Sequence, residues 1–213
     1  MSPKDWRVTS AGQLAWEAYT LPDAQARFAP GTRVIDVGCG SGKELKQLKE
    51  CSCVGIGLDV DRDALAECRR DNLLVVLAQA EQMPMRAAAF DGLICTVAVP
   101  YTDESQVMRE IGRILKPGAT GFLCYHGFGY FLRYIVLGPS LRMRFYGVRS
   151  VINTWFYRTA GRRLRGFWGD TLYQSHGRLL TYYRRDGLKL LAARHGKAFC
   201  GLPVFIYHTV EKT

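Results

Sequence analysis

The run Val34-Ile35-Asp36-Val37-Gly38-Cys39-Gly40-Ser41-Gly42 holds the residues whose spacing points most directly to chemistry. β-Branched residues lead to an acid, and three glycines then alternate with other residues. Glycine accepts positive φ and carries no Cβ, so a loop of this kind lets a ligand lie against the main chain. The spacing is G-x-G-x-G with no Lys-Ser/Thr pair placed as in a P-loop, which disfavours a phosphate cradle. A second short run, Gly55-Ile56-Gly57-Leu58-Asp59, ends in another acid, seventeen residues beyond Gly42. A carboxylate at the end of a strand can accept two hydrogen bonds from the hydroxyls of a ribose.

These acids and glycines need strands that end where they stand. Apolar runs and helical spacing alternate along the chain, which implies a parallel sheet covered on both faces. The pattern predicts a strand over 33–37 and a helix over 43–50 with Leu45 and Leu48 inward. A strand over 54–58 follows, then a helix capped by Asp61 and reaching about residue 71, with Leu65 and Cys68 inward. Residues 73–77, Leu-Leu-Val-Val-Leu, read as a central buried strand. A fourth strand is expected over 90–97. A helix over 103–115 should bury Val107, Ile111, Ile114 and Leu115 and stop at Lys116-Pro117-Gly118. Strands over 120–126, 188–194 and 204–210 and a helix over 177–185 complete the alternation. A tight connection between the last two strands makes the final one antiparallel. The first 30 residues, with Trp6, Trp16 and Tyr19, are expected to form one or two helices.

Residues 127–174 interrupt this order. They are too long for a routine connection and too aromatic for a floppy loop, so two or three short helices forming a cap or lid are expected. The segment holds eight arginines, no lysine and one acid, Asp170, which is +7 of the formal +10, and 12 of the 25 aromatic residues. The chain thus reads as one domain: an N-terminal helical segment (1–30), a core (31–126), a basic aromatic lid (127–174) and a C-terminal helix and strands (175–213). A hydrophobic content of 48% argues against disorder. No apolar signal core occurs near Met1 and no stretch is long enough to span a bilayer. Seven cysteines, an odd number scattered through strands and helices, fit a reducing, cytoplasmic compartment. Cys51-x-Cys53 has no second pair nearby, so no metal site is expected.

With Asp36, the glycine loop and Asp59 in place, the chain resembles the class I S-adenosylmethionine (SAM)-dependent methyltransferases over residues 31–126. The Phe90-Asp91 pair and the Leu115-Lys116-Pro117-Gly118 turn resemble most the ubiquinone/menaquinone-type branch that methylates small molecules. The resemblance implies a Rossmann-like α/β fold: a doubly wound, mostly parallel seven-stranded sheet with an antiparallel last strand, here with a helical lid insertion. It implies SAM as cofactor, with Asp36 toward the methionine ammonium, Gly38, Cys39 and Gly40 giving close backbone approach, and Asp59 and Val60 at the ribose side. Ala78-Gln79-Ala80-Glu81 aligns with the family's Gly-Asp-Ala-Glu, so Gln79 stands where an Asp usually contacts the adenine amino group. A glutamine carbonyl can accept that bond, and Ala80 can still offer its N–H.

Methyl transfer needs alignment and dryness more than acid–base chemistry, so the cofactor is easier to locate than a catalytic group. Residues after strands four and five should face the methyl group. That brings forward Tyr101, to stack on or steer an acceptor, and His126, whose imidazole titrates near neutrality and could take a proton from a hydroxyl. Ala98-Val99-Pro100-Tyr101 resembles the Asn/Asp-Pro-Pro-Tyr/Phe motif of amino-group methyltransferases, but Ala98 offers no acceptor for an amine proton. An O or C nucleophile of a small hydrophobic or anionic molecule, lipid-like ones included, is therefore expected. RNA methylation and a non-catalytic SAM-binding module are the alternatives. The arginine-rich segment could close over such an acceptor, lie on an anionic membrane, or contact RNA.

Overall fold

The computed structural model describes residues 28–164, 167 and 171–213. The helices expected before the core, with Trp6, Trp16 and Tyr19, lie outside the described residues. The central element is β1 (Arg33–Val37), whose residues after Arg33 are all buried. It pairs in parallel with β2 (Val54–Asp59) on one side and β4 (Phe90–Thr96) on the other. β3 (Leu74–Leu77), β5 (Leu115–His126), β6 (Leu188–His195) and β9 (Phe205–Lys212) complete a seven-stranded sheet in the order β3-β2-β1-β4-β5-β9-β6. One strand joins antiparallel, and the rest of the winding is Rossmann-like. The chain winds away from β1 in both directions, and that reversal opens a crevice at the strands' carboxyl ends.

Helices α1 (Lys43–Glu50), α2 (Arg62–Arg70) and α3 (Glu104–Ile114) form where the apolar spacing places them. Asp61 caps α2 by accepting from the N–H groups of Asp63 and Ala64, and Asp103 caps α3 through Ser105 and Gln106. Leu45, Leu48, Leu65 and Cys68 pack with Val34 and Ile94 in one buried cluster. α6 (His176–Arg185) joins α3 through the buried pair Glu104–Arg178, with Nη2 to Oε2 at 3.1 Å. A chain of hydrogen bonds runs from buried Tyr125 through Tyr183 and His208 out to exposed His176, at 2.7, 2.9 and 3.2 Å.

Two expectations need correction. Residues 74–77 form an edge strand, first in the sheet order, with Leu74 60% and Leu77 41% exposed. An apolar run sets strand character but not the number of neighbours. The stop after α3 is also more abrupt than the Lys116-Pro117-Gly118 turn suggested. β5 begins at once with Leu115 opposite Phe90, and the register then slips so that Thr120 faces Gly92. Pro117, which cannot donate to a ladder, and Gly118, at φ 80°, occupy that slip.

The described residues divide into two compact units. The first comprises 28–125, His176–Arg194 and Tyr207–Thr213. The second comprises His126–Ser175 and His195–Ile206. In the second, the segment expected to hold short helices has α4 (Phe128–Leu137) and a 20-residue α5 (Leu141–Ala160). Ser140 caps α5 and Gly161 ends it at φ 68°. Gly147 lets the two helices approach, since a Cβ there would sit 2.8 Å from the Phe131 carbonyl oxygen. A short hairpin, β7 (Ala198–Phe199) and β8 (Leu202–Pro203), packs against α4.

Two substitutions rank these supports. Arg178→Ala strands a buried carboxylate and should cost about 3 kcal/mol, whereas Asp61→Ala removes one cap and should cost about 1 kcal/mol. Urea unfolding with unchanged m-values checks the order, and equal losses would contradict it.

Candidate active site

A cavity of about 470 Å³ lies at the carboxyl ends of β1, β2 and β4. Gly38 lines it after β1; Leu58, Asp59 and Val60 line it at β2; Ala78 to Glu81 line it after β3. Thr96, Val97 and Ala98 close it at β4, with Tyr101 at the end of a 3₁₀ turn, Val99–Tyr101, and Thr102 just after it.

Asp59 organises this end of the sheet. Its Oδ2 accepts from the Gly40 N–H at 2.8 Å, and its Oδ1 accepts from Val60 and Asp61 at 2.7 and 3.0 Å. A carboxylate offers roughly four lone-pair directions, so Asp59 keeps capacity for a further donor. The preceding carbonyl, Leu58, accepts from Gly38 and Cys39 at 2.7 and 3.2 Å. The glycine loop is thus pinned by the last two residues of β2. Gly38 must be glycine: it has φ 77°, and a Cβ would stand 2.4 Å from that of Ala98. At Gly40 a Cβ would meet nothing within 4 Å, so the loop is open on that side.

The structure therefore gathers Gly38, Asp59, Val60, Gln79, Ala80, Glu81 and Tyr101 at one cavity. Asp36, Cys39, Gly40 and His126 are not among its lining residues. Asp36 lies in the core at 2% exposure, where its charge reinforces burial in raising the thiol pKa values of Cys39 and Cys95, the latter to about 12. The Cys39 side chain points away from the loop: a Cβ on Gly57 would lie 2.6 Å from its sulfur. Only its backbone is available to a ligand. The segment carrying Gln79 and Ala80 is held from α3. Glu110 accepts the Met83 N–H at 2.7 Å, Arg113 donates to the Met83 and Met85 carbonyls, and Glu81 accepts the Asp103 N–H.

Thr96 and Val97 were not singled out by the sequence. The Thr96 hydroxyl is buried without a hydrogen-bond partner, a state that leaves a polar group costly until something meets it. Val97 adopts φ 60°, a region β-branched residues avoid, while its N–H still bonds Cys124 O at 2.9 Å. Strain of this kind costs about 1–3 kcal/mol and concentrates where ligands bind. Nothing in the letters Thr-Val at a strand end announces it.

His126 has a different setting from the one expected. It is 3% exposed, its ring stacked on Tyr130 at 3.7 Å with Phe131 and Phe205 around it. Burial, helped by the Arg133 charge, lowers its pKa from 6.5 to about 3. An imidazole held neutral to that extent is a weak base at neutral pH.

Comparison with known proteins agrees with the geometry. Residues 35–123 match a family described as a methyltransferase domain. A demethylmenaquinone methyltransferase of Symbiobacterium thermophilum is 30% identical over 172 residues, 75% of this chain and 66% of that protein. A malonyl-[acyl-carrier protein] O-methyltransferase of Enterobacter lignolyticus is 36% identical over 95 residues, 43% of this chain and 37% of that protein. Residues 35–123 are thus a methyltransferase domain of the class I SAM-dependent kind, and the chain spans between about a third and two thirds of the length of these curated relatives. A crystal structure of a SAM-dependent methyltransferase from Methanosarcina mazei shares the fold at TM-score 0.65 and 15% identity, covering 91% of this chain and 98% of that one. The cofactor of this methyltransferase family is SAM, and the cavity suits it: a fixed carboxylate, the bare backbone of Gly38 and an unmet hydroxyl.

Two measurements follow from the site. Asp59→Ala should weaken S-adenosylhomocysteine binding by about tenfold or more, since a hydrogen bond to a charged group is worth about 1.5–3 kcal/mol; Asp59→Asn should fall between, and unchanged calorimetric affinity in both would contradict the role. His126, with its folded pKa depressed below the unfolded 6.5, makes no pH-dependent contribution above that value. As pH falls from 6.5 toward about 3 the unfolded state alone binds its proton, and stability drops by roughly 1.4 kcal/mol per pH unit. His126→Gln should flatten that slope between pH 6.5 and 5; identical slopes would refute it.

Proposed function

We propose that this methyltransferase carries a methyl group from SAM to an oxygen or carbon nucleophile of a small hydrophobic or anionic molecule, lipid-like acceptors included. The make-up of the cavity carries the reading. One side presents an acid fixed by three backbone N–H groups; the other presents Thr96, Val97, Ala98 and Tyr101. Position 98 bears neither amide nor carboxylate, which removes the acceptor an amine proton would need.

When bound, SAM supplies a methyl group on a sulfonium centre already activated for displacement. Asp59 accepts from the ribose hydroxyls, Gln79 accepts from the adenine amino group, and the Ala80 N–H serves the ring. Gly38, Cys39 and Gly40 give backbone approach, and the Asp36 charge offsets the cationic end of the cofactor through the loop. Tyr101, 56% exposed, steers the acceptor at the cavity mouth. The chain's contribution is alignment and exclusion of water, worth several orders of magnitude when the reacting atoms are held in line.

His126 does not line the cavity and burial lowers its pKa to about 3, so this reading does without it as a base and favours acceptors that arrive nucleophilic or readily lose a proton. Carboxylates, phenols and carbon acids qualify. The relatives' names, one a malonyl-[acyl-carrier protein] O-methyltransferase and one a demethylmenaquinone methyltransferase, support acceptors of this kind.

Incubation of the protein with methyl-tritiated SAM and a cell extract, split into organic-soluble, RNA and protein fractions, tests the reading. Label should enter the organic-soluble fraction in a base-labile ester, an aryl ether or a carbon-bound methyl. Label confined to RNA or to amines contradicts the acceptor class, and SAM binding without label in any fraction identifies a non-catalytic module.

A further inference from the structure

We propose that the outer face of α5 docks this protein onto a bilayer surface rich in anionic lipid. α5 is built inside out. Its buried side carries Gly147, Ser150, Asn153, Thr154 and Tyr157, mostly small or polar. Its exposed side carries Leu141, Phe145, Val148, Ile152 and Trp155, at 85, 40, 37, 39 and 65% exposure. These five follow a 4-3-4-3 spacing, so at 3.6 residues per turn they fall within roughly 80° of arc, in a stripe about 21 Å long. Phe167, 64% exposed, widens the patch beside Phe145 at 5.5 Å between ring centres. A contiguous apolar stripe of this kind on a soluble surface marks an interaction site.

The arginines identify the occupant. Arg142 and Arg149 project along one flank of the stripe, and Arg144 and Arg158 along the other. Arg144 keeps one N–H on the Gly138 carbonyl, and the Arg149 guanidinium lies 4.9 Å from the Phe167 ring centre. There is no acid in α5. A second copy of this helix would set arginine against arginine along both flanks, which disfavours self-association. An anionic bilayer satisfies both features at once: apolar side chains enter the acyl boundary while arginines snorkel to lipid phosphates. Among the described residues no helix is long and apolar enough to cross a membrane, so α5 would lie in the plane of the surface.

The experiment is co-sedimentation of the full chain with phosphatidylcholine vesicles, with and without phosphatidylglycerol, at low and high salt. The expected result is binding to the phosphatidylglycerol vesicles alone, weakened by salt. The double variant Leu141→Ser, Trp155→Ser should lower vesicle affinity by about tenfold, since each side chain contributes part of its transfer free energy. Its melting by circular dichroism confirms the fold. If the double variant fails to fold, Trp155→Phe gives a second readout: the blue shift of tryptophan fluorescence on anionic vesicles should disappear with it. Equal binding to both vesicle types, binding to neither, binding untouched by the double variant, or a blue shift that persists in Trp155→Phe overturns the proposal. So does a dimer in sedimentation velocity that the double variant dissolves, which would assign the face to a second copy.

Discussion

Three backbone N–H groups converge on the carboxylate of Asp59, and the ligand end of the sheet depends on that convergence. β2 delivers the acid because its parallel pairing with β1 sets Asp36 beside Gly57 and Val37 beside Leu58. The chain leaving β1 must then turn past the end of β2. Leu58 O and Asp59 catch its amides in succession, Gly38, Cys39 and Gly40. A loop held in this way is in place before any ligand arrives, so less ordering entropy is lost on binding. Any change at Asp59 therefore acts on the loop and on ligand recognition together.

The rest of the cavity wall is supported from behind. Glu110 and Arg113 on α3 grip the backbone around Met83, which fixes the strand-three connection carrying Gln79 and Ala80. At β4, Val97 is kept in a strained conformation by its ladder bond to Cys124. The strain is tolerable because β4 is buried and paired on both sides, so the surrounding structure over-determines the backbone. The second unit follows a different logic, with His126 and Arg133 buried among aromatic rings and kept there by stacking and cation–π contact.

The sequence made the core legible because its signals are local. Asp61 announces its cap, Leu45 and Leu48 their helix face, and the glycines their turn; the helix over 43–50 matches residue for residue, whereas Asp103, read as the first helical residue, caps its helix instead. What it concealed depends on neighbours distant in the chain. The run Leu73–Leu77 is as apolar at an edge as it would be in a centre. His126 ends its strand as expected, yet whether it faces a ligand or an aromatic box is settled by Tyr130, Phe131 and Phe205. The Thr96 hydroxyl and the Val97 backbone have no signature in residue type at all. The arginine content of 127–174 was evident, but the inversion of α5 emerged only once its buried face was known.

Hydrogen–deuterium exchange on the peptide spanning 38–42, with and without S-adenosylhomocysteine, bears most directly on the Asp59 convergence. The amide of Gly40 should exchange slowly in the ligand-free protein, slow further with ligand, and exchange fast in Asp59→Ala. Fast exchange in the ligand-free wild type, or a rate indifferent to both ligand and substitution, would contradict a loop organised by that carboxylate.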